Sequence, residues 1–177
     1  MALTKTRHAS SKPSETERAV IAAGCFWGVE QEFRKEKGVL ATQVGYIGGQ
    51  TKHPTYEQVC EGDTGHAEGV EIEFDPAQIS YEKLLDIFWS LHDPTTLNRQ
   101  GPDVGHQYRS AIFTFSETQK KSAITTRDAL QKSGELKAPI VTEIIAATQF
   151  WPAEEYHQQY VEKGGYAVCH FRRPRPI

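Results

Sequence analysis

Residues 19–38, AVIAAGCFWGVEQEFRKEKG, place a strand directly before a helix. The apolar run at 19–23 predicts a buried strand that ends at Gly24. Residues 26–37 follow as a helix that Gly38 ends, with charged positions between the apolar ones. Its apolar stripe consists of Phe26, Val29 and Phe33. The fold therefore opens with a strand–turn–helix unit that carries a cysteine at its turn.

The remaining patterns complete the order β-α-β-β-α-β, with further elements added to it. Further strands are predicted at 39–46, 69–75, 109–115 and 141–147, and helices at 55–60, 80–92, 117–133 and 153–163. A long loop with Pro and Gly spans 93–105. We therefore expect an α+β protein with a split βαβ (ferredoxin-like) core sheet, flanking helices on one side and added elements.

The composition suits a single globular domain. The chain has 177 residues, of which 38% are hydrophobic and 24% charged. We place one catalytic domain at residues 18–171. Residues 1–17 are rich in Ser and Thr and are expected to form a disordered leader, with a transit peptide as the alternative. Residues 172–177 form a basic, Pro-rich tail that we expect to be solvated.

Charge and cysteine usage narrow the functional classes. A net charge of −3 gives no bulk attraction for nucleic acid or anionic membranes, and no apolar run is long enough to span a bilayer. We expect neither as a partner. The three cysteines, Cys25, Cys60 and Cys169, are too widely spaced for a zinc knuckle or a secreted disulfide framework. This favours a reducing, cytoplasmic setting without a bound metal, and organellar targeting by the leader stays open.

Cys25 lies at the strand-to-helix turn, in the segment GCFWG at 24–28. The unpaired N–H groups of the first helical turn and the helix dipole would favour the thiolate, which is the reactive form of cysteine. A free cysteine is also among the residue types most often buried for packing. Position alone therefore leaves a nucleophile and a structural cysteine open, and Phe26 and Trp27 could line either a pocket or a core.

Glu68 is the second unusual position, because it is in phase with the apolar residues of the strand at 69–75. An inward carboxyl in apolar surroundings would have a raised pKa and could act as an acid near neutral pH. If the strand begins at Gly69, Glu68 is instead a solvated loop residue. Tyr46 is in phase with Leu40 and Val44, and Tyr108 is at the start of a strand. Tyrosines in such positions are more often half-buried packing residues than catalytic donors.

The sequence also contains residues that resemble two other kinds of catalytic site. Glu154 and His157 have the Glu-x-x-His spacing of di-iron bundles, but a second such pair is absent, which favours a solvent-facing helix. Cys25 and a distant histidine could form a Cys–His hydrolase pair, although the surrounding residues lack the papain signature. A binding module that recognises oxidised or apolar side chains through Trp27 is the alternative outside enzymes.

Five segments in matching order resemble the A-class peptide-methionine sulfoxide reductases. They are GCFWG at 24–28, VGYIGG at 44–49, TGHAE at 64–68, DVGHQYRS at 103–110 and AEEYHQQY at 153–160. The resemblance spans about residues 18–171. It implies thiol-based reduction of the S epimer of methionine sulfoxide, free or in proteins, without a cofactor.

The resemblance also implies roles for individual residues. Cys25 would be the nucleophile and Glu68 the proton donor. Tyr46, Tyr108 and Asp103 would surround the sulfoxide oxygen, and Phe26 with Trp27 would hold the methyl group.

The same resemblance suggests how the enzyme is recycled. Attack would leave Cys25 as a sulfenic acid. Cys169 would resolve it as a Cys25–Cys169 disulfide, which thioredoxin would reduce. Cys60 matches a structural position of the family. The alternative is that Cys169 is a spectator thiol and that small thiols reduce Cys25 directly.

Overall fold

A computed structural model describes residues 15–167. Most of the expected leader, the resolving candidate Cys169 and the basic tail at 172–177 lie outside the described residues. The predictions made for those segments therefore stay predictions. None of the helices formed by residues 15–167 has the length and apolar character needed to cross a lipid bilayer.

Eight strands and four α-helices make up the described part of the chain. The strands are β1 Glu17–Ala23, β2 Val39–Ile47, β3 Ala67–Phe74, β4 Arg99–Gln100, β5 Asp103–Val104, β6 Ser110–Thr114, β7 Glu143–Ala146 and β8 Trp151–Pro152. The helices are α1 Phe26–Arg34, α2 Tyr56–Glu61, α3 Tyr81–Leu91 and α4 Glu117–Lys132. Short 3-10 turns cover His106–Tyr108 and Glu155–His157. Local signals set several of these ends, since the Ser80 hydroxyl accepts the Lys83 N–H at the start of α3.

The six-stranded sheet confirms the predicted split βαβ core. Its strand order is β7-β6-β1-β3-β2-β8. β3 lies between β1 and β2 and runs antiparallel to both, and β6 pairs antiparallel with β1 on its other side. Only the added strand β7 pairs in parallel, with β6. The predicted loop at 93–105 contains a separate two-stranded hairpin formed by β4 and β5.

The core lies mainly on the face of the sheet that the helices cover. Side chains of β1, β2 and β3 pack there against the apolar faces of α1 and α3, including Phe33, Leu85 and Phe88. The opposite face carries a smaller cluster around Ile47 and Phe113. Burial of this apolar surface is the main favourable term in folding. The helices are therefore on one side, as predicted.

The register of β2 against β3 fixes the side chains that face the helices. Tyr46 pairs with Glu68, and Val44 pairs with Val70. A register irregularity between Val39 and Ala41 leaves Leu40 52% exposed, so the prediction that Leu40 shares a phase with Tyr46 is wrong. Past this irregularity the alternation holds, and it turns both Tyr46 and Glu68 inward.

Two sequence expectations fail near the chain's polar segments. The helix predicted at 153–163 is replaced by β8, a 3-10 turn and a series of turns. Gln159 has a φ of 47°, which a helix does not tolerate, and the Gln158 amide bonds to the backbone of Val44. Tyr108 ends a 3-10 turn and does not begin a strand. In both segments, tertiary contacts outweigh local helical or strand preference.

The first prediction concerns Gln158, whose side-chain oxygen accepts the Val44 N–H at 2.9 Å. Gln158→Leu leaves this buried N–H without an acceptor, while Ala153 N still donates to the Val44 carbonyl. We expect a loss of roughly 1–3 kcal/mol in the free energy of unfolding, measured with urea. Gln149→Leu, at an exposed position, is the control and should cost less than about 0.5 kcal/mol. Equal stability of the two variants would contradict this role.

Candidate active site

Cys25 is the residue that precedes the first turn of α1, and it is partly exposed. Gly24 before it has a φ of +96°, and a Cβ at that position would lie 2.8 Å from Gln100 Cγ. Glycine is therefore required for the sharp exit from β1. The predicted strand–turn–helix placement of the thiol is confirmed.

The expectation of a stabilised thiolate is not met in the resting site. Burial, and next the nearby Glu68 charge, raise the pKa of Cys25 to about 12. The backbone N–H groups of Trp27 and Gly28 act in the opposite direction, but the side chain makes no capping hydrogen bond. Cys25 is therefore a protonated thiol at neutral pH.

Glu68 lies within β3, because the strand begins at Ala67, and its side chain points inward. Only 3% of the residue is exposed. Burial, and then the charge of Asp103, raise its pKa well above the ordinary value. Its Oε2 atom is buried without a hydrogen-bond partner in the described part of the chain. Burial without a partner for Oε2 thus favours the protonated, neutral form of the carboxyl.

Asp103 and Tyr108 bring the hairpin loop to the same place. The Asp103 charge raises the pKa values of Cys25, Glu68 and Tyr108, so it acts on all three groups. The pKa of Tyr108 is raised chiefly by burial and then by Glu68. Asp103 belongs to β5, and Tyr108 ends the 3-10 turn that follows it. The structure therefore gathers these predicted site residues around Glu68.

Tyr46 is fully buried, and its hydroxyl has a partner. It donates to Glu154 Oε1 at 3.0 Å, while Glu154 Oε2 accepts the Tyr56 N–H at 3.1 Å. Burial, followed by the charge of Glu154, raises the Tyr46 pKa. The single phenolic proton of Tyr46 is thus directed to Glu154, and only its lone pairs are available to other groups.

Phe26 and Trp27 form an aromatic wall beside Cys25. Phe26 is 1% exposed and packs at 5.9 Å from the Tyr46 ring. The Trp27 indole stacks on Tyr160 with ring centroids 4.0 Å apart, and its Nε1–H donates to His157 Nδ1 at 2.9 Å. Both predicted substrate-binding residues therefore sit in an ordered aromatic cluster.

Sequence reasoning missed Glu154 and His157 as members of the site. The predicted solvent-facing helix is wrong for both: His157 is fully buried, and Glu154 holds the Tyr46 hydroxyl. The Glu-x-x-His spacing lets Glu154 accept from Tyr46 and His157 accept from Trp27. The His157 ring accepts from Trp27 rather than from Cys25, which does not favour a Cys–His hydrolase.

Cys60 is the second cysteine among residues 15–167. Cys60 is exposed on α2, and its sulfur forms a hydrogen bond with the Tyr56 side chain. Residues 15–167 contain no group of three or more His, Cys, Asp or Glu side chains arranged to hold a metal ion. The chemistry available in this site is therefore that of a thiol, a neutral carboxylic acid and phenols.

The fold and the site together define a class of α+β proteins. In this class a cysteine at the start of a helix lies within electrostatic reach of a buried carboxylic acid. Residues 17–175 match the family described as Peptide methionine sulfoxide reductase, and the chain belongs to that family. MsrA of Methanosarcina mazei is 59% identical over 156 residues, which cover 88% of this chain and 74% of that protein. The resemblance seen in the sequence is thereby confirmed.

Solved structures agree with the fold. Reduced Mxr1 from Saccharomyces cerevisiae has a TM-score of 0.84 and 36% identity, over 94% of this chain and 96% of that one. Methionine sulfoxide reductase A of Corynebacterium diphtheriae has a TM-score of 0.77 and 36% identity, over 92% and 85%. The α+β architecture is therefore shared with proteins of the family.

The second prediction tests how Glu68 acts on the thiol. At the alkaline pH at which Cys25 titrates, a negative charge on Glu68 disfavours the thiolate, so Glu68→Gln should lower the Cys25 pKa from about 12. The pH profile of iodoacetamide alkylation at Cys25, followed by peptide mass spectrometry, should shift toward neutral pH. Glu71→Gln is the matched control, because Glu71 lies on the same strand and pairs with Arg18. An unchanged profile in Glu68→Gln would show that the charge does not reach Cys25.

Proposed function

We propose that the protein reduces the S epimer of methionine sulfoxide, free or in proteins, to methionine. The observation that carries this proposal is that Glu68 Oε2 is buried without a partner among residues 15–167, and that the Glu68 charge acts on the Cys25 thiol. A sulfoxide has an electrophilic sulfur and an oxygen that leaves poorly without a proton. A thiol and a neutral acid supply these two needs together.

The first half of the cycle balances within the site. Cys25 sulfur attacks the sulfoxide sulfur while Glu68 gives its proton to the oxygen. The hydroxyl then passes from the substrate sulfur to the Cys25 sulfur, so that the substrate S–O bond and the new sulfur–sulfur bond both break. Cys25 becomes a sulfenic acid, and the thiol proton restores Glu68. The substrate sulfur gains the two electrons that the Cys25 sulfur loses, and methionine leaves. No cofactor enters this balance.

Tyr108 and Tyr46 differ in what they can offer the oxygen. The Tyr108 hydroxyl makes no hydrogen bond within the described residues, and it is free to donate to a bound oxygen. Tyr46 already donates to Glu154. We therefore assign the donating role to Tyr108, and a supporting role to Tyr46, whose proton is held by Glu154. Asp103 helps to keep Glu68 protonated.

Phe26 and Trp27 would receive the methyl group of the substrate. An apolar wall on one side of the sulfur and polar groups on the other give the site a handedness. A sulfoxide sulfur is chiral, so only one epimer can place its oxygen at Glu68 and its methyl group at the wall. This supports selection of the S epimer in the manner of the family.

Thioredoxin is the proposed reductant, acting in the cytoplasm. Yeast Mxr1, which shares the fold of this chain, has also been solved in complex with Trx2. In the proposed step the Cys169 thiol displaces water from the Cys25 sulfenic acid, and the resulting disulfide accepts two electrons from a dithiol. Cys169 lies outside the described residues, so this pairing rests on the family resemblance.

The third prediction separates the nucleophile from the acid in single-turnover assays with the two resolved epimers. Cys25→Ser should form no methionine, because serine is a far weaker nucleophile at neutral pH. Glu68→Gln should form it about 10²- to 10⁴-fold more slowly than wild type, since general acid catalysis contributes that much. Circular dichroism checks the fold of each variant. Wild-type rates in a folded Glu68→Gln would remove the acid from the mechanism, and methionine from the R epimer would overturn the selectivity.

The fourth prediction concerns recycling. Cys169→Ser should release one methionine per enzyme but lose thioredoxin-driven turnover, because thioredoxin needs a disulfide to attack. Peptide mapping of the wild-type enzyme after one turnover without reductant should recover a Cys25–Cys169 linkage. Cys60→Ser is the control and should cycle normally. A Cys25–Cys60 linkage, or unimpaired thioredoxin-driven cycling of Cys169→Ser, would contradict the assignment.

A further inference from the structure

The hydrogen bond between Trp27 and His157 fixes the protonation of the histidine. An indole N–H can only donate, so His157 Nδ1 must be the acceptor at 2.9 Å. The imidazole is therefore neutral and carries its proton on Nε2. Burial of the ring lowers its pKa, in agreement with a neutral state. The Nε2 atom is buried and unpartnered among residues 15–167.

His157 is itself immobilised by its surroundings. It is fully buried, and its ring centroid lies 4.5 Å from that of Tyr56 and 5.3 Å from that of Phe26. The two residues that follow it anchor the backbone. The Gln158 side chain accepts a hydrogen bond from the Val44 N–H, and the Gln159 N–H donates to the buried carboxylate of Glu30 at 2.6 Å. His157 is thus a fixed point against which another side chain can be aligned.

Trp27 is held from two directions. Tyr160 covers one face of the indole at an interplanar angle of 15°, and His157 binds the N–H edge. Stacking alone permits the indole to slide or turn within its plane, because the contact is not directional. A hydrogen bond to a fixed acceptor removes that freedom. The indole orientation in the wall therefore depends on the His157 acceptor atom.

We propose that His157 is a positioning residue that fixes the Trp27 indole and so determines how tightly the site holds the methyl side of a sulfoxide. This rests on the proposed function, which assigns Trp27 to the methyl pocket. His157 acts through Trp27 and does not touch the reacting atoms. Its loss should weaken substrate binding and leave the chemical step nearly intact.

Three variants separate hydrogen bonding from packing. His157→Asn keeps an acceptor oxygen near the place of Nδ1, whereas His157→Leu fills similar space without one. His53→Asn is the control, since it changes an exposed histidine that packs against a different indole, Trp151. We expect His157→Leu to raise KM about 10-fold, the effect of losing about one hydrogen bond and the alignment it gives. Single-turnover rates at saturating substrate should stay within about twofold of wild type, and His157→Asn should recover most of the KM.

The indole resonance reports on the contact without any turnover. The Trp27 Nε1–H cross-peak in a ¹⁵N NMR spectrum is assigned by its absence in Trp27→Phe. It should move in His157→Leu and stay near its wild-type position in His157→Asn and His53→Asn. Should His157→Leu fail to fold, the ¹⁵N spectrum of wild-type His157 decides instead: Nδ1 must be unprotonated and Nε2 protonated.

The outcomes distinguish this proposal from the proposed function. A protonated Nδ1, or an unmoved Trp27 signal with unchanged KM in a folded His157→Leu, overturns the positioning role even if the enzyme is active. Equal impairment of the Asn and Leu variants also overturns it, because packing alone would then explain the loss. If wild type does not reduce methionine sulfoxide, dimethyl sulfoxide titrated against the Trp27 signal tests the methyl pocket directly. Tighter binding to wild type than to His157→Leu then supports the proposal, and equal binding refutes it.

Discussion

The Glu68 carboxyl group is buried without a cationic partner among residues 15–167, and this constraint shapes the site. Ionising Glu68 would cost several kcal/mol of solvation free energy in these surroundings, so the group stays protonated. Its position follows from the pairing of β2 with β3, which sets Glu68 opposite Tyr46 on the helix-covered face. A one-residue slip of that register would turn both side chains to the other face of the sheet. The register of the sheet therefore sets the position of the proposed proton donor.

The segment at 153–165 closes the other side of the site through hydrogen bonds rather than apolar packing. Glu154 binds Tyr46, His157 binds Trp27, and Gln158 binds Val44. The same segment is tied to α1, where Arg34 bonds Glu162 at 2.8 Å. Several directional contacts thus replace a regular element in this segment.

Local pattern predicted the sheet and the phase of Glu68, because strand alternation records which face is buried. It could not predict the irregular segment after β8, whose polar residues find partners more than 100 positions away in the chain. The same limit applies to the Cys25 pKa. The helix N-terminus favours a thiolate as expected, but burial and Glu68, which the sequence brings close only through folding, outweigh it. The sequence pattern and the family resemblance therefore predicted Cys25 and Glu68 as site residues. They did not predict that the pKa of Cys25 is raised together with that of Glu68.

That protonation state distinguishes this site from other cysteine chemistry. A hydrolase or a disulfide exchanger needs a standing thiolate, and a site with the Cys25 pKa at about 12 holds few. Here both the thiol and the acid carry protons at rest. A ligand whose oxygen takes the Glu68 proton leaves a carboxylate that can accept the thiol proton in turn. In the proposed mechanism the nucleophile is generated only when a basic oxygen lies within hydrogen-bond distance of Glu68 Oε2, which has no partner among residues 15–167. A sulfoxide meets that condition, whereas a disulfide has no oxygen atom to accept the proton. In the proposed mechanism the thiol is therefore activated by a sulfoxide and not by a disulfide.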